Sequence, residues 1–159
     1  MSITSVSQVR RIPDGRPAYC DLTKVLNDLA ALLEAQLPEG VGFALRAEPN
    51  LWVECWERDL ARFIWDVCAR VIAGLEEEVG VATIDAAHLH VEDARARQLG
   101  LRTSGLYVCL EIAHTADHLD LGEFAFQARM MRGWLHTEAK PKIGGSVTIL
   151  LPAPPAPTR

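Results

Sequence analysis

One stretch limits the fold more than any other. Between positions 60 and 75, apolar side chains recur at Leu60, Phe63, Ile64, Val67, Cys68, Val71, Ile72 and Leu75. This is the i, i+3, i+4, i+7 spacing of a helix, held for about four turns. A helix with one continuous apolar stripe has to bury it against a second layer. A helix over 22–37 repeats the pattern at Leu22, Val25, Leu26, Leu29, Leu32, Leu33 and Leu37. Asp21 is its natural N-cap, and Pro38 with Gly40 ends it. A third helix is expected over 121–132, stopped by Gly133.

The remaining segments read as strands. Residues 41–48 alternate apolar with other residues, as a half-buried strand does. Pro49-Asn50 is a turn, and 51–54 forms a short strand. Residues 79–91 predict a strand with Val81, Thr83 and Ile84 in its core. Residues 92–99 form a short helical insert closed by Gly100. Residues 106–113 are almost continuously apolar, which marks a central strand. Two last strands, 134–138 and 146–151, are joined by a turn containing Pro141, Gly144 and Gly145. The order predicts an α/β fold, a two-layer sandwich whose mixed sheet is covered on one face by three helices. The expected organisation is an N-terminal arm over 1–20, one domain over 21–152 and a disordered Pro-rich tail over 153–159.

Composition excludes several function classes. The 159 residues carry 16 basic and 21 acidic side chains, a formal net charge of −5. No overall positive field is available for nucleic acid or an anionic membrane. No apolar run approaches the roughly 20 residues of a membrane span. The opening MSITSVSQVRRIPDG has no apolar signal-peptide core, so the expected location is the cytoplasm. Cys20, Cys55, Cys68 and Cys109 form no C-x-x-C pair and read as buried thiols. Cys68 and Cys109 fall in core-facing patterns with no His or Asp beside them in sequence, which argues against a nucleophile.

Three strings together resemble the ATP-binding catalytic domain of bacterial sensor histidine kinases, a Bergerat-type fold of the GHKL ATPase superfamily. DLTKVLNDLAALLEAQLPEGVGFALRAEPNLWVECWERDLARFIWDVCARVIAGL is similar to the family's entry helix, first strands and N-box helix. GLYVCLEIAHTADH is similar to the strand leading into the D-x-G-x-G box. MMRGWLHTEAKPKIGGSVTILLP is similar to the closing hairpin. The resemblance spans about 20–152 and implies the family's fold.

It also implies where a nucleotide pocket would lie, and there the residues depart from the family. The position of the Mg²⁺-holding Asn is occupied by Arg70, and an earlier Asn position by Asp66. A guanidinium has five donors and no acceptor, so it cannot coordinate a cation. Asp59, Arg62, Asp66 and Arg70 instead suggest a ladder of ion pairs along the helix. The adenine-reading Asp is replaced by His114, and the box glycines by Ala116 and His118, with Asp117 between them. The long ATP lid is reduced to a few residues before Gly122, the remnant of its last glycine box. The twenty residues of the arm are too few for a phosphoacceptor helical hairpin, so phosphorylation in cis is not expected.

These departures predict a vestigial nucleotide pocket at Asp66, Arg70, His114, Ala116, Asp117, His118 and Gly122. No catalytic residue, no metal and no ATP or Mg²⁺ cofactor is expected. The implied function is that of a pseudo-ATPase module for protein interaction or regulation in two-component signalling. Its implied partners are a histidine kinase, a response regulator or a second copy of the chain. The alternatives are a weak ATP-binding histidine kinase domain acting in trans, and a histidine phosphotransferase relative whose acceptor His is on another chain. Trp65, Phe126 and Met130 are candidates for a partner surface, against a reading in which the shortened connection buries them. A zinc site would require His88 and His90 to converge with His114 and His118; the competing reading is of polar residues at strand ends.

Overall fold

Asp21 opens the first helix as expected, its side chain accepting a hydrogen bond from the Lys24 amide at 3.2 Å. In a computed structural model, residues 19–75, 80–116, 119–140 and 144–154 are described. The expected arm before residue 19, Asp117 and His118, and positions 155–159 of the expected tail lie outside them. In chain order the elements are β1 (Cys20–Asp21), α1 (Leu22–Glu34), β2 (Gly42–Ala47), β3 (Trp52–Val53), α2 (Glu57–Ala73), β4 (Val81–Val91), α3 (Asp93–Leu99), β5 (Gly105–His114), α4 (Gly122–Met130), β6 (Trp134–Lys140) and β7 (Gly144–Pro152).

Five strands form one sheet in the order β2-β4-β5-β7-β6. β2 runs parallel to β4, and the other pairs are antiparallel, so the sheet is mixed. The apolar segment β5 is central, paired along its length with β4 and β7. β1 and β3 form a separate two-stranded ribbon in which Cys20 opposes Val53. Cys20, at the end of the expected arm, is therefore paired and buried. At the other end, the Ala153 amide donates to the Leu106 carbonyl at 3.0 Å.

The main core lies between the sheet and α1, α2 and α4. Val108, Leu110 and Ile112 of β5 share it with Ile84 of β4 and Val147 and Ile149 of β7. The α2 stripe from Leu60 to Val71 is buried against them. Two expectations shift here. β4 presents Ala82, Ile84 and Ala86 to the helices, while Val81 is 48% exposed and Thr83 faces the other side. In a strand a one-residue slip of phase moves every side chain to the opposite face. On α1, Leu32 is 56% exposed, on the solvent flank of its stripe.

The three expected helices cover one face of the sheet, and the short insert α3 lies on the other. α3 lays Ala96 against Val91, Tyr107 and Leu150 in a second, smaller cluster. Gly100 ends α3 with φ +76°, a left-handed conformation that costs glycine little. The chain then turns back so that the Leu101 amide donates to Ala96 O at 2.9 Å. The buried Tyr107 places its hydroxyl 2.7 Å from Thr103 O and donates to it. Among the described residues no helix is long and apolar enough to cross a membrane.

The two classes of apolar helix residue should separate in equilibrium unfolding. Ile64→Ala opens a cavity in the main core and should cost about 2–5 kcal/mol. Leu32→Ala should stay within about 0.5 kcal/mol. Urea denaturation of both variants checks the difference.

Candidate functional site

The C-terminal half of α2 faces the start of α4, and Arg70 joins them. Its Nη2 lies 2.6 Å from Glu123 Oε1. Its Nη1 donates to the Asp120 backbone oxygen at 2.9 Å. The guanidinium carbon also stands 5.4 Å from the centre of the Phe124 ring. Phe124 in turn meets Phe63 of α2 edge to face, with ring centres 6.5 Å apart. One cation thus holds a carboxylate, a carbonyl and an aromatic face of the opposing segment.

The short connection into α4 is shaped to make this contact. The Asp120 carboxylate accepts from the Gly122 amide at 3.1 Å, a turn that starts the helix. Glu123 then falls in the first helical turn, where the helix dipole favours negative charge. Ala116 and Leu121 are buried, and Leu119 packs half-buried beside them. A Cβ at Gly74 would come within 2.6 Å of Leu119 and 3.3 Å of Ala116, so the connection crosses the end of α2 closely. What stays open is a cleft of about 340 Å³, which Asp66, Ala69 and Gln127 also line.

The structure brings Asp66, Arg70 and the Gly122 turn to this cleft, with Ala116 packed in the core beside it. Asp117 and His118 lie outside the described residues. His114 ends β5, opposite Ala82 and Gly145. Burial holds its imidazole pKa below the usual 6.5, with the Ala116 backbone acting in the opposite direction. The charge ladder expected along α2 is only partly formed. Arg62 and Asp66 approach to 3.9 Å, but Arg70 turns away from the helix to Glu123. Glu123, Asp120 and Phe124 escaped the sequence reading as partners of Arg70. The only signal was an acidic residue and a Phe following the glycine that begins α4.

Strand register overturns the zinc arrangement. His88 lies opposite Val108, whereas His114 lies opposite Ala82. Six register positions separate the two on β4, about 20 Å along a strand. His88 instead sits 3.3 Å from a Glu48 carboxylate oxygen. Among the described residues no group of three or more metal-ligating side chains occurs. Burial pushes the Cys20, Cys55 and Cys68 thiols up to about 12, so they stay protonated. Cys109 is half-buried on the α3 side of the sheet, not in the main core as its pattern suggested. On α4, Phe126 and Met130 are 66% and 71% exposed, one helical turn apart. Trp65 is half-buried and packs against the main core.

No family model matches the chain, and no curated protein does. Solved structures do. A mycobacterial sensor histidine kinase, MprB, aligns over 88% of this chain and 99% of its own at 13% identity and a TM-score of 0.65. The ATP-binding domain of PrrB from Mycobacterium tuberculosis aligns over 87% and 98% at 16% identity, TM-score 0.63. The histidine kinase ThkA in complex with the response regulator TrrA aligns over 87% of this chain and 42% of its own, at 12% identity and TM-score 0.64. The chain therefore has the fold of a histidine kinase ATP-binding catalytic domain, as the sequence strings implied.

The Arg70 junction should register in stability. Both partners are partly exposed, which limits the ion pair to about 1 kcal/mol or less, and the ring contact adds about 0.5–1. Arg70→Ala should therefore cost about 1–1.5 kcal/mol in urea unfolding, and Arg62→Ala less than about 0.5. His114 contributes a pH dependence. Because its folded pKa is depressed, its stabilising contribution is complete above about pH 6.5 and is lost as pH falls through the folded value. His114→Gln should flatten the stability profile below pH 6.5 in the same assay.

Proposed function

We propose that this chain is a pseudo-ATPase module, one that keeps the histidine kinase catalytic fold without its nucleotide chemistry. It acts as an interaction or regulatory domain in two-component signalling. The observation that carries this reading is the Arg70 junction. Where the resemblance implies a Mg²⁺-holding Asn, the chain has a cation that is engaged by Glu123, Asp120 O and Phe124.

The residues present do not fit a Mg²⁺–triphosphate. A guanidinium offers only donors, and it repels a divalent cation. Asp66 is the one carboxylate of the cleft on α2, and Arg62 stands 3.9 Å from it. The connection through Ala116, Leu119 and Leu121 packs down on α2, on the ground a flexible glycine-rich lid would need for cradling phosphates.

The likeness of fold supports the partner class. A protein of this fold, ThkA, is seen bound to a response regulator, and a domain freed from catalysis keeps surfaces that such partners recognise. Phe126 and Met130 on α4 are apolar and exposed beside the cleft, where a receiver domain or a kinase would meet them. A second copy of the chain is the other candidate partner.

Calorimetric titration with a non-hydrolysable ATP analogue, with and without Mg²⁺, tests the reading. No saturable heat and no thermal shift at millimolar nucleotide is the expected result. Micromolar, Mg²⁺-dependent binding would overturn it in favour of a kinase domain acting in trans.

A further inference from the structure

We infer that the face of the sheet opposite the main core carries a binding site for a small planar aromatic anion, between α3 and strands β4 to β7. The argument is independent of the nucleotide cleft and of the proposed signalling role.

Register places the site's parts. Across the sheet, Ala87, Cys109, Leu150 and Trp134 form one row, and Asp85, Glu111, Thr148 and His136 form the next. All these side chains share the face that α3 only partly covers. Under α3 the rows enclose a hollow of about 730 Å³, within the 300–1,000 Å³ typical of small-molecule pockets. Its floor is apolar, made by Leu89, Cys109 and Leu150, with Leu99 of α3 as one wall.

Two features select the ligand. Trp134 and His136, two residues apart on the edge strand β6, stack with ring centres 5.4 Å apart and planes at 12°. Side chains at i and i+2 on a strand point to one face, so the two rings stand as a short parallel stack at the edge of the hollow. A planar ring is the shape that extends such a stack. Arg95 on α3 supplies the charge. Its guanidinium bonds only the neutral Gln98 amide oxygen, at 3.3 Å, among the described residues, and it lines the same hollow. A guanidinium without a carboxylate partner binds an anionic group through two parallel hydrogen bonds. Thr148 adds a further donor at the rim, whereas Glu92 is acidic and disfavours an anion at its own end.

The hollow is held open by fixed parts. Ala96 and Tyr107 are buried in the second cluster, and the left-handed Gly100 fixes where α3 ends. Apolar atoms there stay in contact with water: Leu89 is 42% exposed. Covering that surface with an aromatic ring provides the favourable term, and Arg95 gives the preference for a negative charge.

The test uses the full chain, 2-naphthoate as the probe and naphthalene-2-carboxamide as its neutral counterpart, followed by amide NMR. The expected result is saturable binding at millimolar concentration or below, with shifts confined to α3, the end of β4, the N-terminal half of β5, the start of β6 and the end of β7. Arg95→Gln should weaken naphthoate about tenfold and leave the carboxamide unchanged. Cys109→Phe, which fills the floor, should abolish both; an unchanged amide spectrum outside the hollow shows that each variant is folded. Absence of saturable binding, shifts centred on Arg70 and α4, or equal losses for acid and amide in Arg95→Gln would overturn the inference.

Discussion

Helix α2 has to satisfy two surfaces at once, and the rest of the molecule is arranged around that requirement. Its stripe from Leu60 to Val71 lies on the sheet and excludes water from β5. The adjacent strip of the same helix, through Phe63 and Arg70, meets α4. The first surface is apolar and non-directional, so it sets position but not chemistry. The second is directional: one guanidinium, two oxygens and one ring face. Burial of the stripe supplies most of the stability, and the junction sets how closely α4 approaches.

This division explains how a fold is shared at low sequence identity. A histidine kinase catalytic fold is preserved over most of the chain at 11–16% identity. Apolar periodicity survives such divergence because many residues fill a core equally well. A nucleotide site is more exacting, because it needs particular donors and acceptors at fixed places. On the proposed reading, the place of that site is taken by the molecule's own charges and by the close crossing of Ala116 and Leu119 over Gly74.

The elements were legible because they are periodic. The stripes of α1 and α2 and the apolar run of β5 announced a helix layer and a central strand. Asp21 announced its own cap. Errors occurred where period alone leaves phase open: Val81 and Thr83 belong to the outer face, and Leu32 to the solvent side of its helix. The cleft was less legible, since Arg70 and Glu123 lie 53 residues apart. Position 70 looked like a member of a local ladder because Asp66 precedes it by one turn. The second face was visible only obliquely. The nearly continuous apolar run of β5 marked it as central, but the seven residues of α3 carry too short a pattern to assign them to the second face.

The most direct measurement is of Arg70 itself, by NMR of its guanidinium in the full chain. The junction predicts slow rotation about the Nε–Cζ bond and separate Nη resonances, because Glu123 and Asp120 O hold the two nitrogens apart. It also predicts that Mg²⁺ with an ATP analogue leaves those signals in place. A freely rotating guanidinium, or one whose signals shift with saturating nucleotide, would contradict the account.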